Sequence, residues 1–291
     1  MIPMRTILLA ALALSTLFFA GCRTQLAFGH RGPVVAPKGW SPGVAVAPED
    51  CCCRVWHCGP DRGKLYRRWR VEVEAGPVWQ SRNEVAIPGD TGTRFDLDDV
   101  TGSGPFPYGR ITVDYQINQR HSIRAMVAPL EISETGQLSE PVNFRGQTFA
   151  PGVDTKATYR FNSYRLTYKY LLGCGCDWSF HIGATAKIRD AKIELEQAGV
   201  RETKYDLGFV PLLYLAYEKR LARNWRFYTD VDFAAASQGR AIDFTAKLYY
   251  DIDDRWSIGA GYRTIEGGAD NDTVYTFSWF HQAVISAVIR F

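Results

Sequence analysis

The closing stretch of the chain constrains the fold most. From Thr273 to Phe291 one set of alternate residues is Tyr275, Phe277, Trp279, His281, Ala283, Ile285, Ala287, Ile289 and Phe291, all apolar except His281. The residues between them, among them Thr276, Ser278, Gln282, Ser286 and Arg290, are mixed and more polar. Successive strand side chains point to opposite faces, so a period of two sustained over 19 residues predicts a strand. An ordinary strand has about five or six residues, which is far shorter. A tilted strand crossing a bilayer needs about 9–11 residues, with aromatics where it meets the headgroups. Trp279, Phe277 and Tyr275 at one end and Phe291 at the other fit that arrangement.

Nine more period-two segments precede it, at about 69–77, 108–116, 121–132, 157–171, 178–189, 204–218, 225–233, 242–251 and 256–263. The phase of the fourth slips near Asn162, which predicts a bulge there. Tight turns are expected at 117–120, 172–177, 221–223 and 252–254. Longer joins are expected at 81–105, 133–156 and 190–203, with shorter ones near 235–240 and 266–272. Four short turns on the side of both barrel ends require ten antiparallel strands. Trp69, Trp178, Trp225 and Trp256 then all begin odd-numbered strands, where a girdle of aromatics belongs.

Length and composition permit this fold. All-β barrels often run to 291 residues as one domain. A hydrophobic content of 46% is what an apolar outer face and a polar lumen average to, and a net charge of +3 gives no reason to expect a nucleic-acid partner. No apolar run reaches the roughly 18 residues of a transmembrane helix. At the front, Arg5 precedes an apolar run from Ile7 to Phe19, the pattern of a secretory signal peptide over residues 1–21.

Together, the export signal, the alternating strands and the terminal Phe291 make the chain resemble bacterial outer-membrane β-barrel proteins. The resemblance implies an all-β antiparallel transmembrane barrel over 69–291, an outer-membrane location, lipid contact, and a C-terminal Phe291 read by the barrel-assembly machinery. Phe19-Ala20-Gly21-Cys22 also resembles a lipobox, with Phe19 where Leu is usual. This implies acylation of Cys22; ordinary cleavage nearby, leaving a spare thiol, is the alternative. Residues 22–68 read as a Pro/Gly-rich periplasmic tether. It carries Cys51, Cys52, Cys53 and Cys58, while Cys174 and Cys176 share a distant turn. In an oxidising compartment these six are disulfide candidates. A metal site with His57 is the alternative, although C-C-C-x4-C matches no zinc spacing. No metal or other cofactor is assigned.

Periodicity alone does not say which face points inward. A soluble, lipocalin-like periplasmic binder would put the apolar face inside; a membrane barrel puts it outside. In the membrane reading the lumen collects both signs of charge. Glu72, Glu74, Asp114, Asp230, Asp232 and Asp243 face Arg110, Arg165, Lys187, Arg226, Lys247 and Arg263, with Glu218, Arg124 and Lys169 beside them. A narrow barrel must pair such charges, which predicts a salt-bridged filling. Of the five histidines, His30 and His57 lie in the tether, His121 and His181 start strands, and His281 is mid-strand on the lipid face. None reaches the outer rim, so no Asp/His or Ser/His dyad is expected there and the chain is not read as an enzyme. Acidic loops at Asp96, Asp98 and Asp99 and at Glu266, Asp270 and Asp272 are candidate cation or surface-ligand sites. The expected role is structural or surface-binding in the envelope, with a small passive pore as the alternative.

Overall fold

A computed structural model describes residues 67–175 and 177–291. The predicted signal peptide, Cys22, Cys51, Cys52, Cys53, Cys58 and Cys176 lie outside the described residues, as does the tether apart from Arg67 and Arg68. The long strands are β1 (Trp69–Ala86), β3 (Phe106–Gln116), β4 (His121–Ala128), β5 (Glu131–Gln137), β8 (Asp154–Cys174), β9 (Trp178–Gln197), β10 (Val200–Arg220), β11 (Trp225–Ala236), β12 (Gly239–Asp251), β13 (Trp256–Asn271) and β14 (Val274–Arg290). Short elements are β2 (Phe95–Asp96), β6 (Val142–Phe144), β7 (Gln147–Phe149) and one helical turn, α1 (Asp98–Thr101).

Strands β4 and β5 are one barrel strand. Ala128 pairs with Ser163 and Glu131 with Arg160, a single unbroken register that Pro129, which has no N–H to donate, merely interrupts. Each barrel strand pairs antiparallel with its neighbour, and β14 pairs with β1 to close a ten-stranded ring. At the seam the Trp69 and Phe291 backbones exchange hydrogen bonds of 2.9 and 3.0 Å. The four tight turns fall where the sequence predicts them. They define a turn half of the barrel, and the remaining connections define a loop half.

In the turn half the charged face is inside and the apolar face outside, the reverse of a lipocalin-like binder. Leu166, Ile111, Ile258 and Ile285 project outward, Ile285 with 71% of its surface exposed. Trp69, Trp178, Trp225 and Trp256 ring the turn end, all exposed. Trp79, Tyr262 and Trp279 form a second exposed set higher up. Ten residues of β1 separate Trp69 from Trp79. At about 3.3 Å per residue and a tilt of about 40° they climb roughly 25 Å, the height of an apolar barrel band.

The loop half departs from the sequence reading in three places. The expected bulge at Asn162 is absent: Asn162 pairs with Asp190 in a register that runs unbroken from Thr155 to Leu171, and the shift falls at Leu171/Gly173. The apparent slip is a change in what the lumen contains. Tyr164, Leu166 and Tyr168 are exposed outside the turn half, whereas Ala157 and Tyr159 are buried inside the loop half. Second, the join expected over 190–203 is strand almost throughout. Ala198 and Gly199 take φ of +50° and +85°, which allows a two-residue hairpin. Third, β1 continues past residue 81 because Ser81 bulges out between Gln80 and Arg82. That bulge flips the alternation and turns Asn83 and Val85 into the interior, both fully buried.

Candidate functional site

The turn half of the lumen is filled by ion pairs that cross it. Lys247 on β12 reaches Glu72 and Glu74 on β1 at 2.8 and 2.5 Å. Arg263 holds Glu74 at 2.9 Å and Asp243 at 2.8 Å. Arg110 adds a 3.0 Å contact to Asp243. Nearer the turns, Arg124 bridges Asp114 at 3.0 Å and Asp230 at 2.9 Å, Arg70 and Lys169 also engage Asp114, and Arg226 holds Glu218 at 2.9 Å. Most of these pairs join strands that are not neighbours, so the network braces the ring across its interior. Buried charges are tolerated when each is paired and hydrogen-bonded, as these are.

Arg165 tops this filling. From β8 it reaches Asp232 on β11 at 2.8 Å and Asp243 on β12 at 2.7 Å. Arg165, Asp232 and Asp243 line two spaces at once. Below them is a void of about 20 Å³ among the ion pairs. That holds about one water. Above them is a cup of about 70 Å³ reaching Lys204, Arg240, Gly268 and Val274 near the hairpin tips. At a liquid share of about 30 Å³ each, that is room for roughly two waters. The three side chains form a partition across the lumen.

Beside the cup the loop half has an apolar core. Residues 87–105 and the β6–β7 hairpin fold over the barrel mouth and hydrogen-bond to each other. Asn143 N–H donates to Thr93 Oγ1 at 2.9 Å, and Arg145 N–H donates to the Ile87 carbonyl at 2.8 Å. Leu97 and Val100 from the α1 region and Phe144 and Phe149 from the hairpin are buried against Val85, Ile132, Tyr159, Leu195 and Phe280. Gly136 is needed for this fit, because a Cβ there would lie 2.3 Å from the Val100 carbonyl oxygen. Gln80 donates to Thr101 Oγ1 at 2.7 Å, tying α1 to the wall.

Eleven of the twelve lumen charges expected from the sequence stand in ion pairs. Lys187 is the exception. It is 4% exposed, lies against the Phe161 ring at 4.7 Å from the centroid, and has no hydrogen bond or ion pair among the described residues. The acidic loops are not assembled into ion sites: no metal-holding group of His, Cys, Asp or Glu occurs among the described residues. Glu266 pairs with Arg240 instead, and Asp98 and Asp99 sit in the first turn of α1. Asp98 is partly buried beside Asp96, and both effects raise its pKa to about 6. Cys174 ends β8, and its five expected disulfide counterparts lie outside the described residues. Phe291 is exposed at the turn end of the seam.

A Ser/His pairing that the sequence reading did not anticipate forms away from the rim, on the outer face where His281 was expected. Ser81 Oγ and His281 Nε2 are 2.9 Å apart on the outer surface, and His281 Nδ1 meets the Tyr262 hydroxyl. The Ser81 bulge creates this contact, and nothing in the alternation of β1 announces it. The third member is a neutral phenol, so the dyad lacks the carboxylate that would stabilise an imidazolium. The three hydrogen-bonding groups satisfy one another at the edge of the apolar belt.

No protein-family model and no curated protein matches the sequence. Among solved structures, the chain is similar to the outer-membrane protease OmpT of Escherichia coli, with 10% identity and a TM-score of 0.48, over 78% of this chain and 99% of that one. It is also similar to Neisserial surface protein A, at 13% identity and a TM-score of 0.33 over 77% and 97% of the two chains. The attachment invasion locus protein Ail of Yersinia pestis matches at 12% identity and a TM-score of 0.34, over 77% and 99%.

Proposed function

We propose that this chain is a non-conducting outer-membrane β-barrel that holds a capped binding platform at the cell surface, with its turn end and N-terminal tether in the periplasm. One observation supports the reading: the turn half is filled by crossing ion pairs up to the Arg165–Asp232–Asp243 partition, which in this reading closes the lumen. The apolar belt and its two sets of aromatics supply the membrane-facing surface, and the folded-over loops supply the platform. Lipidation of Cys22 and disulfides among the tether cysteines and Cys174 and Cys176 would fasten the tether to membrane and barrel. Phe291 serves as the assembly signal in this reading. A surface ligand is a better fit than a cation, since Glu266 is already paired with Arg240.

The test is conductance in planar bilayers, made on protein whose barrel is first verified by its boiled-against-unboiled mobility in SDS. The chain is expected to insert without stepwise conductance, and Arg165→Ala is expected to introduce steps by removing the partition. Steady conductance of the unaltered chain would replace the platform with the passive-pore reading.

A further inference from the structure

The cup above the partition has a feature that the ion-pair filling does not explain. Lys187 lines it, almost fully buried, yet no carboxylate or other acceptor contacts it among the described residues. The charged groups acting on it are Arg165, Asp243, Arg189 and Asp232. The two carboxylates are already committed: Asp232 and Asp243 both hold Arg165, and Asp243 also holds Arg110 and Arg263. The cation–π contact with Phe161 offsets only part of the cost of taking an ammonium out of water. An anion entering the cup would therefore meet a basic group that no carboxylate of the described residues already holds.

The walls define what kind of anion. Phe161, Ile193, Leu212, Ile242, Ile265 and Val274 line the cup, so its surface is mainly apolar around Lys187, the uncommitted cation nearest its floor among the described residues. Three of the basic groups nearer the mouth have partners: Arg189 pairs with Asp206, Arg240 with Glu266, and Lys192 lies 3.7 Å from Glu194; Lys204 stands near the hairpin tips, away from the floor. A doubly charged phosphate would find no second available cation at the floor. A single carboxylate on a compact apolar body would meet Lys187 at the floor and the hydrophobic walls above it. The cup, about 70 Å³, is smaller than the roughly 150 Å³ cavity that takes up benzene whole, so a body of that size would seat its carboxylate at the floor and project into the mouth.

We propose that the cup is a binding site for a small apolar monocarboxylate, with Lys187 as the group that holds the carboxylate. This names a ligand class for the platform and rests on that reading only in placing the mouth at the cell surface; the site itself is a property of the lumen.

The test is calorimetric titration of the full chain, folded in an uncharged detergent, with sodium benzoate as the probe and benzyl alcohol as its neutral counterpart. Saturable benzoate binding is expected, at least tenfold tighter than benzyl alcohol. Lys187→Met should weaken benzoate at least tenfold and leave benzyl alcohol unchanged, while Lys187→Arg should keep benzoate within about fivefold. Each variant is first verified as a folded barrel by its unboiled mobility. No saturable benzoate binding, equal binding of the two probes, or equal benzoate affinity in Lys187→Met would overturn the proposal. Conductance is read separately, so a barrel that conducts yet binds benzoate through Lys187 would sink the platform reading and leave this one standing.

Discussion

The two halves of the barrel solve the same packing problem in opposite ways. In the turn half the lumen is filled by charges, such as Lys247 between Glu72 and Glu74, and the aliphatic residues face outward. In the loop half the lumen is filled by Leu97, Phe144, Phe149 and Leu195, and Arg82, Glu84 and Arg160 stand on the outside. The strand β8 crosses from one half into the other without a break in register; its one shift, at Leu171/Gly173, lies near the turn. Its backbone does not change at the boundary; its surroundings do. Below the boundary the outside is apolar and the inside must be braced across a narrow ring. Above it the outside meets water, and folded loops deliver the hydrophobic filling. Alternation is therefore a property of the strand, while the meaning of each face depends on height.

That comparison can be broken most directly at Asp243. Three guanidiniums converge on it, from Arg110, Arg165 and Arg263, so Asp243→Ala leaves buried charges unpaired. The expected loss is about 4 kcal/mol. It would be read as a lower urea midpoint for loss of the fast-migrating unboiled band. Phe144→Ala removes a fully buried ring from the apolar filling, at a cost of about 3 kcal/mol. Its effect should be confined to the cap. Cleavage within residues 87–105 by a protease should accelerate while the unboiled mobility stays as it was; loss of the whole barrel would show that the halves are not separable.

The outer faces sharpen the contrast. Leu166→Arg places a charge in the apolar belt and should cost about 2 kcal/mol. Arg160→Leu, on the same face of β8 but in the loop half, should change the urea midpoint little. Equal effects at the two positions would place the membrane boundary elsewhere.

The smallest effect concerns Asp98. Its pKa is raised to about 6, first by burial and then by Asp96. The folded loop thus holds the proton more tightly than the unfolded chain, and stability falls as pH rises from about 4 through 6. The group is partly open to solvent, so after screening the change is under about 1 kcal/mol. Hydrogen exchange across residues 95–103, corrected for intrinsic rates, should quicken over that interval in the unaltered protein and not in Asp98→Asn.

The turn half was legible in the sequence because one rule governs it. Apolar and charged residues alternate, and Trp69, Trp178, Trp225 and Trp256 mark where four strands begin. Strand number, turn positions and eleven paired lumen charges follow from that rule. The loop half was not legible, because the lumen changes character there and a change of contents looks like a change of phase at Asn162. The Ser81 bulge was equally hidden, since it shows only in which residues face each other across β1 and β14. The Ala198–Gly199 hairpin was masked by charged residues such as Arg201 and Glu202, which stand on strands extending beyond the belt. The isolation of Lys187 depends on which charges meet across the ring, and therefore on the stagger of all ten strands rather than on any one of them.

The seam between β1 and β14 sets an order of events. Residues of β1 wait for partners that lie some two hundred positions further along the chain, and the loop this closes is the longest the barrel contains. Until the final strand arrives, two sheet edges stay raw and able to join a foreign strand. Assembly of such a ring is a latch rather than a zipper: nine strands in place are still an open sheet, and the tenth makes every edge disappear at once.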